Sequence, residues 1–386
     1  MKKRITAFLI ALISLAASGC SSVLEGEISS STPVHISVDS EETDGTENPS
    51  NYTEVSQYEV FKASIRAMIS RHTDTQTFRI SSFDRDDVPG AVQQACQEIE
   101  SDDPLGSYAV YYINSSVTQS ASFYNVEVSI VYRATKDEVD SLCSVSSNRY
   151  LEYLLLDNIS QGKTEFAFYT QHDGITGQVI SDTITRLYYE NPLEVILPPT
   201  ALTVCYPKEE GYRIMEVGLV YSYTPGVLDN MRATLNSKIL EMAEPLGATN
   251  DGVLYLLMCQ SLMTECELTD TAAVQIDDTA YGAIVNGECT AEGMAMAYKA
   301  MCDKMGLECT VVRGMLNGQA HFWNVINLEG SYYHVDISAC ISGGMEAGFL
   351  LSDDNMPEGY WWDSVITPAC SGTRTYEDYA SYSQLA

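Results

Sequence analysis

Basic residues are scarce in this chain, histidine is scarcer, and the cysteines form no close pairs in sequence. Lys and Arg number 21 against 53 Asp and Glu, a formal charge of −32. A surface that acidic repels phosphate backbones and anionic headgroups, which argues against nucleic acid as a partner. The five histidines are scattered and the 11 cysteines include no C-x-x-C spacing. That spacing holds no zinc-ligand pattern, and nothing else in the chain calls for a metal or cofactor. Beyond residue 20 there is no run of eighteen apolar residues, the length needed for a helix to cross a bilayer. Through residue 224 there is no glycine-rich phosphate loop and no nucleophile–base pair. The lone His72 and His172 of that region read as surface histidines.

What is present begins with MKKRITAFLIALISLAASGC. Lys2, Lys3 and Arg4 precede an apolar stretch from Ile5 to Ala17, too short to span permanently and flanked as an export signal is. Ala17-Ser18-Gly19-Cys20 resembles a bacterial lipobox, with Ala17 where Leu is more usual. The resemblance implies that Cys20 becomes the new N-terminus and carries fatty acyl chains such as palmitate. It places the mature protein on the extracytoplasmic face of the cell membrane, held there by that lipid. An ordinary cleaved signal with an incidental cysteine is the alternative. Residues 21–57, rich in Ser, Thr, Glu and Asp and without apolar periodicity, read as a disordered tether.

An internal repeat follows. Glu127-Val-Ser-Ile-Val-Tyr132 is matched by Glu216-Val-Gly-Leu-Val-Tyr221, and Pro104-Leu105 by Pro192-Leu193. Thr77-Phe78 has a looser counterpart at Thr164 to Phe166. Three landmarks in one order at nearly one offset indicate a duplicated α+β module, over 58–134 and 135–224. Each copy reads as helix, strand, helix and two strands. The first has Tyr58 to Ser70, Thr77 to Ser82, Val88 to Ile99, Tyr108 to Val117 and Tyr124 to Arg133. The second has Arg149 to Ile159, Thr164 to Tyr169, Thr176 to Tyr189, Leu193 to Cys205 and Tyr212 to Tyr223.

A third region runs over 225–386. Val227 to Ala243 and Gly252 to Met263 have helical periodicity. Met294, Ala297, Tyr298, Met301 and Met305 form one apolar stripe, with Thr290 as N-cap and Gly306 as the left-handed closing residue. A strand from Cys309 to Arg313 precedes HFWNVINLEGSYYHVDIS, His321 to Ser338, which reads as a hairpin turning at Glu329-Gly330. With a two-residue turn, Trp323 faces Asp336 and His321 faces Ser338, so His321 and Asp336 are diagonal neighbours on one face. A turn one residue longer would break that relation. A carboxylate so placed can orient an imidazole; an ordinary polar pair on a hairpin is the plain alternative.

These residues resemble the transglutaminase-like domains of the papain-type cysteine enzyme superfamily. The resemblance is carried by Tyr281-Gly-Ala-Ile-Val-Asn-Gly287, Glu292-Gly-Met-Ala295, His321-Phe-Trp-Asn324 and Tyr333-His-Val-Asp-Ile-Ser338. Phe349-Leu-Leu-Ser-Asp-Asp354, Trp361, Trp362 and Pro368-Ala-Cys370 extend it. It implies an α+β fold, a papain-like transglutaminase core preceded by the two repeated modules. It also implies a Cys–His–Asp triad with His321 as base and Asp336 as its orienting carboxylate.

The family's cysteine falls on Ala291, whether counted forward from Tyr281 or back from Gly293. Cys289 comes two residues early, a displacement of roughly 6 Å in extended chain. The thiol must come within about 3 Å of the imidazole. One reading is a degenerate site that binds a peptide or cell-wall peptide. A second is an active peptidase, amidase or acyl transferase using Cys289. A third is a purely structural surface protein. Cys302 on the helix stripe and Cys309 at a strand start read as buried.

The lipid anchor is the part of this reading most easily checked. Cys20→Ser should shift the protein from the membrane fraction to the soluble extracytoplasmic fraction and abolish fatty-acid labelling. Retention in the membrane would refute the lipoprotein expectation.

Overall fold

In the computed structural model, residues 35–38, 52–207, 211–247 and 250–382 are described. They divide into two compact units. One comprises the chain to Asn148 with Glu165–Gly177 and Leu202–Gly218; the other comprises Arg149–Thr164, Gln178–Ala201 and the chain from Leu219. The signal segment, Cys20 and most of the expected tether lie outside the described residues.

In the first unit, helix α1 (Tyr58–Arg71) buries Phe61, Ile65, Met68 and Ile69, spaced to fall on one stripe. It ends at His72 in the left-handed region, where the His72 and Thr73 amides donate back to the carbonyls of Ile69 and Met68. His72 is half-buried and stacks on Tyr132 with ring centroids 3.9 Å apart, so it is a packed residue rather than the surface histidine expected. Helix α2 (Val88–Ser101) is capped by Asp87, which accepts from the Gly90 amide. The sheet contains β1 (His35–Val38), β2 (Tyr52–Glu54), β3 (Thr75–Ile80), β4 (Val110–Gln119) and β5 (Tyr124–Tyr132), in the order β1-β4-β5-β3-β2.

Two expectations are corrected here. The expected tether extends to Gln57, yet Tyr52–Glu54 pairs parallel with β3 and Val55 is buried. The Tyr52 ring carries the Arg79 guanidinium at 3.6 Å, which outweighs the polar composition of the segment. The strand expected from Tyr108 begins at Val110, because Asp103 and Pro104 open a short helix, Pro104–Ala109, capped by Asp103 through the Leu105 and Gly106 amides.

A second sheet holds β6 (Cys143–Ser144), β7 (Glu165–Thr170), β8 (Thr200–Tyr206) and β9 (Arg213–Val220), in the order β6-β7-β9-β8. Helices α3 (Asn148–Ser160) and α4 (Gly177–Glu190) alternate with its strands along the chain. The strand expected from Leu193 begins only at Thr200, since Pro198 and Pro199 lack the amide hydrogens a ladder requires. In both sheets the last strand of the stretch lies between the two preceding long strands, and a short strand pairs parallel with the first of them.

The second unit contains α5 (Pro225–Ala243), α6 (Asp251–Glu265) and α7 (Ala291–Met305), with a small parallel pair β10 (Glu267–Leu268) and β11 (Glu288–Cys289). Its main sheet is antiparallel: β12 (Cys309–Leu316), β13 (Gln319–Leu328), β14 (Ser331–Val335), β15 (Phe349–Leu351) and β16 (Tyr360–Trp361), in the order β15-β14-β13-β12-β16. Glu329 and Gly330 both have positive φ, 56° and 83°, as a two-residue hairpin turn demands. The ladder then runs from Leu328–Ser331 to Asn324–Val335, the register the two-residue turn specifies. Cys302 and Cys309 are buried, as expected.

The boundary expected at 225 falls inside this unit. Tyr188 OH donates to Asp278 O, Tyr189 OH to Glu292, and Arg232 to Glu194 O, which tie Gln178–Ala201 to the later chain. A fragment beginning at Val227 should therefore unfold over a broad, weakly cooperative range. A sharp transition with dispersed amide resonances would restore the boundary at 225.

Candidate active site

His321 is the third residue of β13, opposite Gly314 of β12. A Cβ at Gly314 would lie 2.3 Å from the Trp323 ring, so glycine is required for that ring to lie across the strand. Trp323, almost fully buried, stacks on the His321 ring at 5.9 Å and meets the Tyr360 ring edge-on at 5.3 Å.

Asp336 follows β14 and serves as N-cap of α8 (Ile337–Gly343). Its Oδ1 accepts from the Ala339 amide at 3.0 Å and from Ser338 Oγ at 2.5 Å. Its Oδ2 accepts from His321 Nε2 at 2.6 Å and from Tyr360 OH at 2.7 Å. Burial alone would raise this carboxyl. His321 first, then Ser338 and Tyr360, outweigh burial and hold it below the usual carboxylate range. An ionised Asp336 can only accept, so Nε2 carries the proton and Nδ1 is the basic nitrogen of the neutral ring. Nδ1 makes no hydrogen bond among the described residues. It is the nitrogen free to take a proton from a nucleophile.

The position expected for a nucleophile holds alanine. Ala291 is the first residue of α7, and Thr290 is its N-cap, accepting from the Gly293 amide while donating to Asp278 at 2.6 Å. α7 packs along the face of β13 that carries Asn324, whose Nδ2 donates to Ala295 O. Strand alternation turns His321 to the other face, where its ring meets Trp323 and Tyr360. The first side chain of α7 is a methyl group.

Cys289 lies in β11, fully buried, its Sγ 3.1 Å from Cys266 Sγ. Cys266, then burial, then Asp277 and Asp278 push the Cys289 thiol well up, the opposite of an activated nucleophile. No hydrogen bond among the described residues joins Cys289 to His321.

Sequence reasoning gave no role to Tyr360, Glu292, Tyr189 or Arg313. Tyr360 completes the Asp336 cluster, but it lies 24 residues downstream with no periodic signal. Glu292, beside Ala291, accepts from Tyr189 OH at 2.7 Å, and the Arg313 guanidinium sits 4.8 Å from the Tyr189 ring centre. Tyr189 is 103 residues away in sequence, beyond any local pattern. Burial chiefly, with Asp278 adding to it, raises the Glu292 carboxyl to about 7.

A second histidine–aspartate pair lies nearby. His334, fully buried, accepts from Trp323 Nε1 at Nδ1 (3.0 Å) and meets Asp353 Oδ1 through Nε2 (2.9 Å). Donor atoms of His334, Asp353 and Cys370 lie within 4.8 Å of one another. Both ring nitrogens already have partners, so the trio reads as a satisfied polar anchor of the core. Burial lowers the His334 pKa, in keeping with an indole donor that permits only the neutral ring.

Comparison with known proteins adds little. No protein-family profile matches the chain, and no curated protein does. Among solved structures, a TGase aligns at 11% identity over 56% of this chain and 62% of its own, with a TM-score of 0.26. A proposed cysteine protease from Cytophaga hutchinsonii aligns at 9% identity over 45% of this chain and 70% of its own, also at 0.26. A proposed protease from Parabacteroides distasonis aligns at 7% identity over 55% of this chain and 46% of its own, at 0.23. At such scores the likenesses carry no argument, and function must be reasoned from the geometry above.

Glu292 yields a prediction whose sign is fixed. Its folded pKa, about 7, lies above the unfolded value of roughly 4.3, so the folded chain binds this proton more tightly. Its contribution to stability is full below pH ~4 and declines as pH rises to ~7. Glu292→Gln should flatten that slope, gaining on the order of 2 kcal/mol over the parent between those limits after allowance for partial exposure. Denaturant titrations at several pH values would show it; parallel profiles would contradict it.

Proposed function

We propose that this chain is a membrane-anchored lipoprotein of the extracytoplasmic face. Its C-terminal region would be a papain-type, transglutaminase-like domain that has lost its nucleophile and serves to bind a peptide or cell-wall peptide. The observation that carries this reading is the pairing of His321 and Asp336 with alanine at the first residue of α7. A base held by a buried carboxylate near the start of a helix is the arrangement that activates a thiol in Cys–His–Asp chemistry. Without the thiol, the polar groups can still orient an amide but cannot attack it. Loss of such a nucleophile lowers turnover on the order of a million-fold. The burial of Cys289 against Cys266 weighs against the alternative in which Cys289 takes the role.

The two preceding stretches are proposed to be duplicated modules acting as a spacer or platform. Their shared strand order supports this, together with the sequence landmarks. Cys20 would supply the anchor.

Restoration tests the site. In Ala291→Cys, a thiol at the helix start would gain from the amides there and from the His321 imidazole. Near neutral pH it should react with iodoacetamide at least tenfold faster than Cys289 does in the parent. His321→Ala in that background should slow it, and Asp336→Ala should slow it less. If position 291 reacts no faster than a free thiol, and the rate ignores His321, the assignment of the nucleophile position is wrong.

A further inference from the structure

The pair Cys266–Cys289 has no part in the proposed site, yet its geometry is specific. The sulfurs are 3.1 Å apart, closer than two unbonded sulfurs ordinarily pack. Cys266 closes α6 immediately before β10, and Cys289 ends β11, the parallel partner of β10. The Glu267 amide donates to Gly287 O and the Thr269 amide to Cys289 O, both at 2.8 Å, which fixes the backbone after Cys266 against the backbone of Cys289. Across the bridge Cys289 faces Leu268, two residues beyond Cys266, so the contact is a diagonal one made by the sulfurs. The Cys289 thiol lowers the Cys266 thiol pKa against burial, Glu288 and Glu267, while Cys266, burial, Asp277 and Asp278 raise that of the Cys289 thiol.

We propose that Cys266 and Cys289 form a disulfide that fastens the strand entering α7 to the end of α6. Two S–H bonds break and one S–S bond forms. The two protons and two electrons pass to the disulfide of an external thiol–disulfide oxidoreductase or a small-molecule disulfide, which leaves as a dithiol or as two thiols. Both cysteines are buried in the folded chain, so exchange takes place before the segment closes. The bond closes a loop between residues 23 apart in sequence. That loop carries Asp277, Asp278 and Thr279, and Asp278 accepts from the N-cap Thr290. Fastening it steadies the start of α7 and removes Cys289 from thiol chemistry.

The test refolds the full chain in equal concentrations of reduced and oxidised glutathione. Free thiols are then blocked with iodoacetamide in denaturant without reductant, and chymotryptic peptides are mapped by mass spectrometry. The expected result is an unalkylated, cross-linked Cys266–Cys289 peptide that takes label only after dithiothreitol. Reduction should lower the Tm of the parent by on the order of 5 °C and leave a Cys266→Ser/Cys289→Ser variant unmoved. Alkylation of both residues without reductant, or linkage of either to a different cysteine, would overturn the proposal. So would a cross-link whose reduction shifts parent and variant alike. Those outcomes leave the reading of His321, Asp336 and Ala291 untouched, since its restored thiol stands at a separate position.

Discussion

The Asp336 carboxylate, almost entirely shielded from water, accepts hydrogen bonds from His321, Tyr360, Ser338 and the Ala339 amide. An unpaired charge at that depth would be prohibitive, and these donors are what permit it. The same residue caps α8, ends the β13–β14 hairpin and fixes the His321 ring by its Nε2. Tyr360, the first residue of β16, is drawn in at the far edge of the sheet. Trp323 fills the space between, and its indole N–H reaches the second histidine–aspartate pair. Removing Asp336 would thus disturb helix, hairpin, edge strand and imidazole together.

Under the proposed reading, that structural burden would explain how such a pair persists without a nucleophile. A base and its orienting carboxylate are of little chemical use without a nucleophile, yet here they also hold the sheet together. Cys289 occupies the neighbourhood in sequence but is buried against Cys266. The carboxyl next to Ala291 belongs to Glu292, poised near neutrality by its burial. Asp336 orients the imidazole, while Glu292 is held by Tyr189 at the start of α7.

Much of this could be read from residues alone. The hairpin register follows from Glu329-Gly330, because a two-residue turn with positive φ at both positions admits one pairing. Thr290 and Gly306 mark both ends of α7, through side-chain capping and left-handed closure. What escaped was non-local. Tyr360 and Tyr189 come to the site across 24 and 103 residues, and no periodicity reports such distances. The partnership of Cys289 with Cys266 depends on a two-residue parallel bridge too short to leave a pattern. The expected boundary at 225 rests on a different kind of unit. Repeat landmarks mark units of descent, whereas compact units follow packing, and Gln178–Ala201 packs with the later chain.

The central claim is that the unaltered chain has an oriented imidazole but no thiol within its reach. Intact-mass analysis after incubation with a peptidyl electrophile, on native protein previously treated with dithiothreitol, tests it most directly. The account predicts no adduct beyond what His321→Ala also acquires. A single rapid adduct on Cys289 that disappears in His321→Ala would contradict it.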